Sequence, residues 1–349
     1  MNAKSLTQHG FLDIVKFVFA LLIVAAHFIT ENADGKINSL IGYGISIYVI
    51  VVPFFFCSAG FLIFRRFTDD LKEGKGYVLS YCKRILIMYV FWSFVYIVFQ
   101  ISAWIRFGVT QEEVFKYILN VVFYSTYKTI WFLPGLCIGV VLTYFLLRKI
   151  GIRYTAIIAA VCYLIGTLGV SYSFLLKDTQ ILDGYNYVFV STRNGLFNGF
   201  PFVFLGAFLA NQITKKRPKG FSFYIIMTIV SGVCFIAEAF LLKFIFKSIN
   251  ANTLLFLIPF TYFFVRLCIN IPCTSGRVTK WMRKMSTVIF LSQRIFLTAL
   301  PVLLPESIFA YMLSGNPYLG CLFVIAVTFV FSAVLVFLSG KSKIIGRLC

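Results

Sequence analysis

Of 349 residues, 60% are hydrophobic and only 13% are charged, with a mean hydropathy of +0.92. That balance excludes a soluble globular domain and points to a polytopic membrane protein. The net charge of +20 would suit a nucleic-acid binder, but the basic residues sit in short segments between apolar runs, as membrane orientation requires; no nucleic-acid partner is expected.

The first apolar run, GFLDIVKFVFALLIVAAHFITE (10–31), carries four ionisable residues. At about 100° per residue, the eleven steps from Lys16 to His27 return to within about 20° of one face, and Asp13 and Glu31 fall within about 60° of it. The four form a polar stripe about 27 Å long at about 1.5 Å per residue. Charge facing lipid costs several kcal/mol per residue, so the stripe should look into protein or a water-filled cavity. One lysine, Lys4, precedes the run and no small-residue cleavage pattern follows it. It therefore reads as a retained helix.

Hydropathy predicts spans at 11–29, 40–64, 84–105, 130–147, 154–173, 194–213, 221–242, 252–271, 284–304 and 317–338. The expected fold is all-α, with ten transmembrane helices in a single domain over 1–349. Pro53, Pro134, Pro201 and Pro259 fall within spans, where neighbouring helices satisfy the carbonyls they release. With the N-terminus inside, 21 of the 32 Lys and Arg lie in inside segments, 8 lie outside, and Lys16, Arg266 and Arg294 lie within spans. Both termini are expected to be cytoplasmic, in a multi-pass protein of the cell (cytoplasmic) membrane. The lipid bilayer is thus its first partner. Residues 106–129 contain an amphipathic piece, EEVFKYILNVVFYS, suited to the membrane surface. Residues 174–193 read as a polar outer segment, and 65–83 as the largest inner loop. The nine cysteines are scattered without a tight CxxC and the two histidines are eighteen residues apart, so no metal is expected.

Chemistry concentrates on the first span. His27 lies in its outer third, and Glu31, one turn on, is placed to orient the imidazole and stabilise its charged form. The alternative is a histidine that only hydrogen-bonds a neighbour. Lys16 and Asp13, near the inner mouth, form either a ligand site or a snorkelling anchor with a local ion pair. Glu238 lies near the outer end of the seventh span, with Lys243 as an expected ion-pair partner, and Arg193 opens the sixth span on the same side. Arg294 is deep in the ninth span and needs a partner or a polar cavity.

The pattern D-x-x-K-x10-H from Asp13 to His27 resembles the R/K-x10-H signature that opens proteins of membrane acyltransferase family 3, integral-membrane O-acyltransferases of surface polysaccharides. Further stretches agree in order: FFFCSAGFLIFRR (54–66), with Ser58 and Gly60 in place; YCKRILIMYVFW (81–92); TIWFLPGLCIGV (129–140), which holds Trp131; STRNGLFNGFPFVFLGAFLA (191–210); and MSTVIFLSQ (285–293). The departures are Lys16 for the family's arginine, Ile87 where a second basic residue is usual, and Gln293 for the late histidine. TRNGLF and IAE (236–238) are also similar to the membrane domains attached to vancomycin-resistance serine racemases.

The resemblance implies acetyl transfer from cytoplasmic acetyl-CoA, a donor substrate with no permanently bound cofactor, to a hydroxyl of a surface polysaccharide or lipid-linked sugar. It places Lys16, Lys83 and Arg84 at the donor phosphates. His27 is base or transient acyl carrier, with Glu31 beside it. Arg193 and Glu238 are on the acceptor side, with Asp13, Trp131 and Arg294 acceptor-side or supporting. Two alternatives stand beside it. One is a transporter of a small zwitterion such as serine, with Glu238 and Arg193 holding the ammonium and carboxylate groups. The other is a non-catalytic subunit of a glycan assembly or export complex.

Overall fold

The structure is a computed structural model that describes residues 9–32, 47–66, 74–127, 129–176, 180–215, 219–248, 252–299 and 317–346. Those residues form helices and turns with no strand among them. Six helices are long and apolar enough to cross a membrane, and two shorter apolar ones accompany them. The protein is an all-helical, polytopic membrane protein.

In chain order the helices are α1 (Gly10–Asn32), α2 (Val51–Phe64), α3 (Gly74–Phe107), α4 (Gln111–Phe123), α5 (Phe132–Leu168), α6 (Gln180–Phe189), α7 (Phe200–Lys215), α8 (Phe221–Phe240), α9 (Leu257–Asn270), α10 (Arg277–Arg294) and α11 (Pro317–Ser339). Wider π turns lead into α7 at Gly195–Gly199 and extend α8 and α10 at Leu241–Ile245 and Ile295–Ala299. The chain divides into two compact units. One holds α1 and the described residues from Phe264 on; the other holds the described residues from 47 to Phe263.

α5 is a hairpin of two helices. Gly151 has φ 76° and ψ 179°, a backbone that only glycine adopts without strain, and it breaks the helix there. A straight helix would put Gly135 and Gly166 about 46 Å apart. Instead both lie on the same five-residue turn: a Cβ on Gly195 would fall 2.8 Å from Gly135 Cα, and one on Gly166 would fall 3.0 Å from Phe197 Cβ. The two halves match the expected spans 130–147 and 154–173.

Two sequence expectations need correction. α3 begins at Gly74, ten residues before the expected span, so residues 74–83 of the expected loop 65–83 are helical. Val78, Cys82 and Ile85 are buried at helical spacing while Lys75, Lys83 and Arg84 are exposed, so periodicity, not mean hydropathy, marks this start. α10 likewise begins at Arg277, seven residues early, for its first two turns carry charge on the outer face and bury Thr279. The polar segment 174–193 contains α6.

The second unit packs through glycines. A Cβ on Gly60 would strike the Val203 carbonyl, and one on Gly206 would strike the carbonyl of Cys57. Small residues at such crossings let backbones touch, the usual source of helix adhesion in lipid. The expected amphipathic piece is α4. Thr110 Oγ1 accepts from Glu113 N–H at 3.3 Å, and Glu113 Oε2 accepts from Thr110 N–H at 2.8 Å, closing a capping box. Phe115, Ile118, Val122 and Phe123 line one exposed face of it.

Candidate active site

In the first unit α1 and α10 run side by side and parallel. Gly10 N–H donates to Cys273 O at 2.9 Å, Phe17 packs on Trp281 at 5.9 Å, and Arg283 Nε lies 3.7 Å from Asp13 Oδ2. Further along, Arg294 Nη2 lies 3.2 Å from His27 Nδ1. The inner half of the α1 stripe therefore faces protein, with Asp13 5% exposed and Lys16 8%, and Arg294 on α10 is 4% exposed. His27 is half-buried. The side chain of Glu31, expected to orient His27, lies outside the described ones.

Asp13 comes within ion-pair distance of Arg283 across the helices, and the charge of Lys16 on its own helix acts on it as well. The spacing of three allows that local interaction. Gln293, in the place of the family's late histidine, is fully buried; its Nε2 donates to Phe290 O at 3.0 Å, and its Oε1 has no hydrogen-bond partner among the described residues. α11 packs antiparallel on α10, with Lys284 Nζ 3.2 Å from Ser339 Oγ and Ser292 Oγ 3.5 Å from Ser332 Oγ.

The second unit brings together Arg193, Trp131 and Tyr124. The Arg193 guanidinium lies 5.7 Å from the Trp131 ring centroid, and Tyr124 stacks on the same indole at 5.9 Å. Burial pushes the Tyr124 phenol up to about 12, with Arg193 acting the other way. Arg193 Nε is buried without a hydrogen-bond partner among the described residues. Asn194 holds the arginine's backbone in place: its Oδ1 accepts from Leu196 and Phe197 N–H at 3.0 and 3.1 Å, and its amide donates to Tyr185 Oη at 2.8 Å. An asparagine ahead of a helical run is a readable cap signal in STRNG. Tyr124 carries no such signal.

Glu238 serves the backbone. Its Oε1 accepts from Tyr172 Oη at 2.6 Å and Leu255 N–H at 2.7 Å, and its Oε2 accepts from Phe256 N–H at 2.8 Å, just ahead of α9. The expected pair with Lys243 is not made; that ammonium lies 5.9 Å from the Phe244 ring centroid. A carboxylate 7% exposed with three donors on it is a cap for α9 and a tie to Tyr172. Lys83 and Arg84 are exposed on α3, with the Arg84 guanidinium 5.4 Å from the Tyr81 ring centroid.

The family model described as an acyltransferase domain matches residues 9–337. The chain belongs to membrane acyltransferase family 3. Among curated proteins, one named amino-acid racemase from Enterococcus faecalis is 27% identical over 215 residues, 60% of this chain and 29% of the relative. A second of that name from the same organism is 26% identical over 212 residues, 59% of this chain and 29% of the relative. A serine/alanine racemase from Enterococcus gallinarum is 24% identical over 230 residues, 63% of this chain and 32% of the relative. The chain thus spans about a third or less of the length of these relatives. No solved structure matches it.

Proposed function

We propose that this protein transfers an acyl group, acetyl from cytoplasmic acetyl-CoA, to a hydroxyl of a cell-surface glycan or its lipid-linked precursor. The observation that carries this reading is the half-buried imidazole of His27, held 3.2 Å from Arg294 in a chain of an acyltransferase family. A sugar hydroxyl is a weak nucleophile at neutral pH and needs a base within hydrogen-bond reach, or an acyl group already carried on the enzyme. His27 fills one of those two roles. Lys83 and Arg84 on α3 are assigned to the donor phosphates and Lys16 on α1 is assigned to them separately, while Arg193 with Trp131 is assigned to the acceptor. Ten crossings with both termini in the cytoplasm complete the reading, in the cytoplasmic membrane.

The test is transfer of labelled acetyl from acetyl-CoA by the purified chain in lipid nanodiscs, with glycan acceptor and without. General-base assistance is typically worth about 10²–10⁴-fold. His27→Ala and His27→Gln should each lower transfer at least about 10²-fold while the protein still accumulates in the membrane, because an amide keeps hydrogen bonding but takes no proton. Near-normal transfer by His27→Gln rejects a reacting imidazole.

A second reading, movement of a small amino acid such as serine, rests on the resemblance to the membrane domains attached to serine racemases; the relatives' names say only that those proteins are racemases of amino acids. Glu238 is a weak candidate for that reading's ammonium site, since three of the carboxylate's roughly four acceptor sites already serve Tyr172 and the backbone ahead of α9. Uptake of labelled serine into proteoliposomes, without acetyl transfer, would favour this reading over the first.

A further inference from the structure

A guanidinium has only N–H donors, so an imidazole nitrogen 3.2 Å from Arg294 Nη2 must be the acceptor. A neutral imidazole has one such nitrogen, and the other carries the proton. We infer that Arg294 is the positioning residue of His27: it holds the ring neutral with its proton on Nε2, and its guanidinium covers the lone pair of Nδ1.

Several features make this contact a built one. Arg294 is 4% exposed and His27 half-buried, so water does not compete freely for either. The two helices are tied together at the far end by the Asp13–Arg283 ion pair and the Gly10–Cys273 hydrogen bond, which fixes their register. Asp13 to His27 on α1 and Arg283 to Arg294 on α10 rise in the same direction, so a slip of one helix would break both pairs together. The main chain around the arginine is also held, since Thr298 Oγ1 donates to Arg294 O at 3.1 Å.

The inference rests, for its chemical consequence, on the reading of His27 as the reacting group. Either role given to that residue uses a nitrogen lone pair, and here the lone pair is at Nδ1. The reacting nitrogen is therefore Nδ1, and Arg294 must turn off it as substrate enters. In the base role, the acceptor oxygen bonds to the thioester carbon and its proton passes to Nδ1. The carbon–sulfur bond then breaks, and the proton on Nδ1 goes to the departing thiolate. The Nε2 proton is never exchanged, and the ring returns to the state that Arg294 holds.

The chain has two histidines, so His9→Asn leaves His27 as its one imidazole. The full chain, labelled with ¹⁵N-histidine and reconstituted in nanodiscs at neutral pH, should show Nε2 protonated and Nδ1 unprotonated, shifted as an acceptor of a hydrogen bond. Arg294→Met should move the Nδ1 resonance or mix the tautomers. Where transfer is measurable, that variant should lower kcat about tenfold or more with little change in the donor KM. A proton on Nδ1, an imidazolium, or a spectrum indifferent to Arg294→Met overturns the inference; if the variant fails to fold, the first two readouts on the Arg294 protein still decide. Absence of acetyl transfer by the unaltered chain would instead reject the acyltransferase reading and leave the spectrum to judge Arg294.

Discussion

A carboxylate with three donors on it spends most of its roughly four acceptor sites on the fold around it. That is the state of Glu238, and it makes a prediction that separates structural from binding roles. Glu238→Ala strands two backbone N–H groups and the Tyr172 hydroxyl, and each buried donor left unmet costs about 1–3 kcal/mol. We expect the variant to lose at least about 2 kcal/mol of stability, read as a lower unfolding midpoint in detergent, with Glu238→Gln intermediate because its amide oxygen still accepts. A stable Glu238→Ala protein with altered substrate affinity would return the residue to the acceptor side. The charge of Glu238 is plain in sequence, and Lys243 five residues on invites an ion pair; its true partners are N–H groups exposed by a turn before α9, which no local pattern announces. His27 with Asp13 and Lys16 was legible for the opposite reason. All three belong to one helix, and a period of about 3.6 residues fixes which positions share a face. The partner of His27 was not legible, since Arg294 stands 267 residues away and only packing brings them together.

Single elements follow local rules more closely. α4 is read correctly from its amphipathic spacing, because its shape depends on its own residues: a capping box, a Glu112–Lys116 pair at 2.6 Å, and an apolar face. α3 and α10 begin earlier than hydropathy suggests because their first turns alternate buried and charged faces, which an average over a window erases. Gly151 was hidden within an inner segment, although glycine is the residue that a reversal with φ 76° requires. The cap of α4 also gives a pH dependence with a definite sign. The Thr110 N–H and hydroxyl that Glu113 accepts hold its carboxyl below the ordinary value of 4.5. A lowered folded-state value means that the cap's stabilisation is fully present above pH 4.5 and is lost as pH falls through the lowered value. A spin label at Gln111 should thus keep constant mobility from neutral pH down to that point and become more mobile below it. In Glu113→Gln the step should vanish and mobility be raised throughout. Identical curves for the two proteins would show that the carboxylate does not hold this helix end.

At the scale of the whole molecule, helix directions within each unit constrain how the chain crosses the bilayer. α1 and α10 run parallel, and α11 runs antiparallel to α10. In the other unit Gly135 and Gly139 on the first arm of α5 meet Gly195 and Gly199 in the same order, so that arm is parallel to α7, while Gly166 and Tyr163 on the second arm meet Phe197 and Phe202 in reverse. α8 and α9 are antiparallel, through Phe223–Phe263 and Phe235–Phe260. Number the crossings with α5 as two and each relation obeys parity: odd with odd or even with even is parallel, odd with even antiparallel. A missed or surplus crossing between α1 and α10 would make that pair antiparallel. Parity fixes only whether the count between two helices is odd or even, so it fits eight or twelve crossings as well as the proposed ten. The excess of Lys and Arg in alternate connections is the ground for the proposed inner N-terminus. In the proposed topology the connection between α7 and α8 is cytoplasmic, and so is the turn at Gly151. In a background without the nine native cysteines, a cysteine at Lys219 or Lys149 should resist an impermeant thiol reagent in intact cells and react once the membrane is opened. A cysteine at Lys116 on α4 should react from outside. Labelling of position 219 in intact cells with protection at 116 would invert the topology. It would also put the exposed Lys83 and Arg84 on the side of the membrane opposite to a cytoplasmic donor, and so remove the donor site proposed for them.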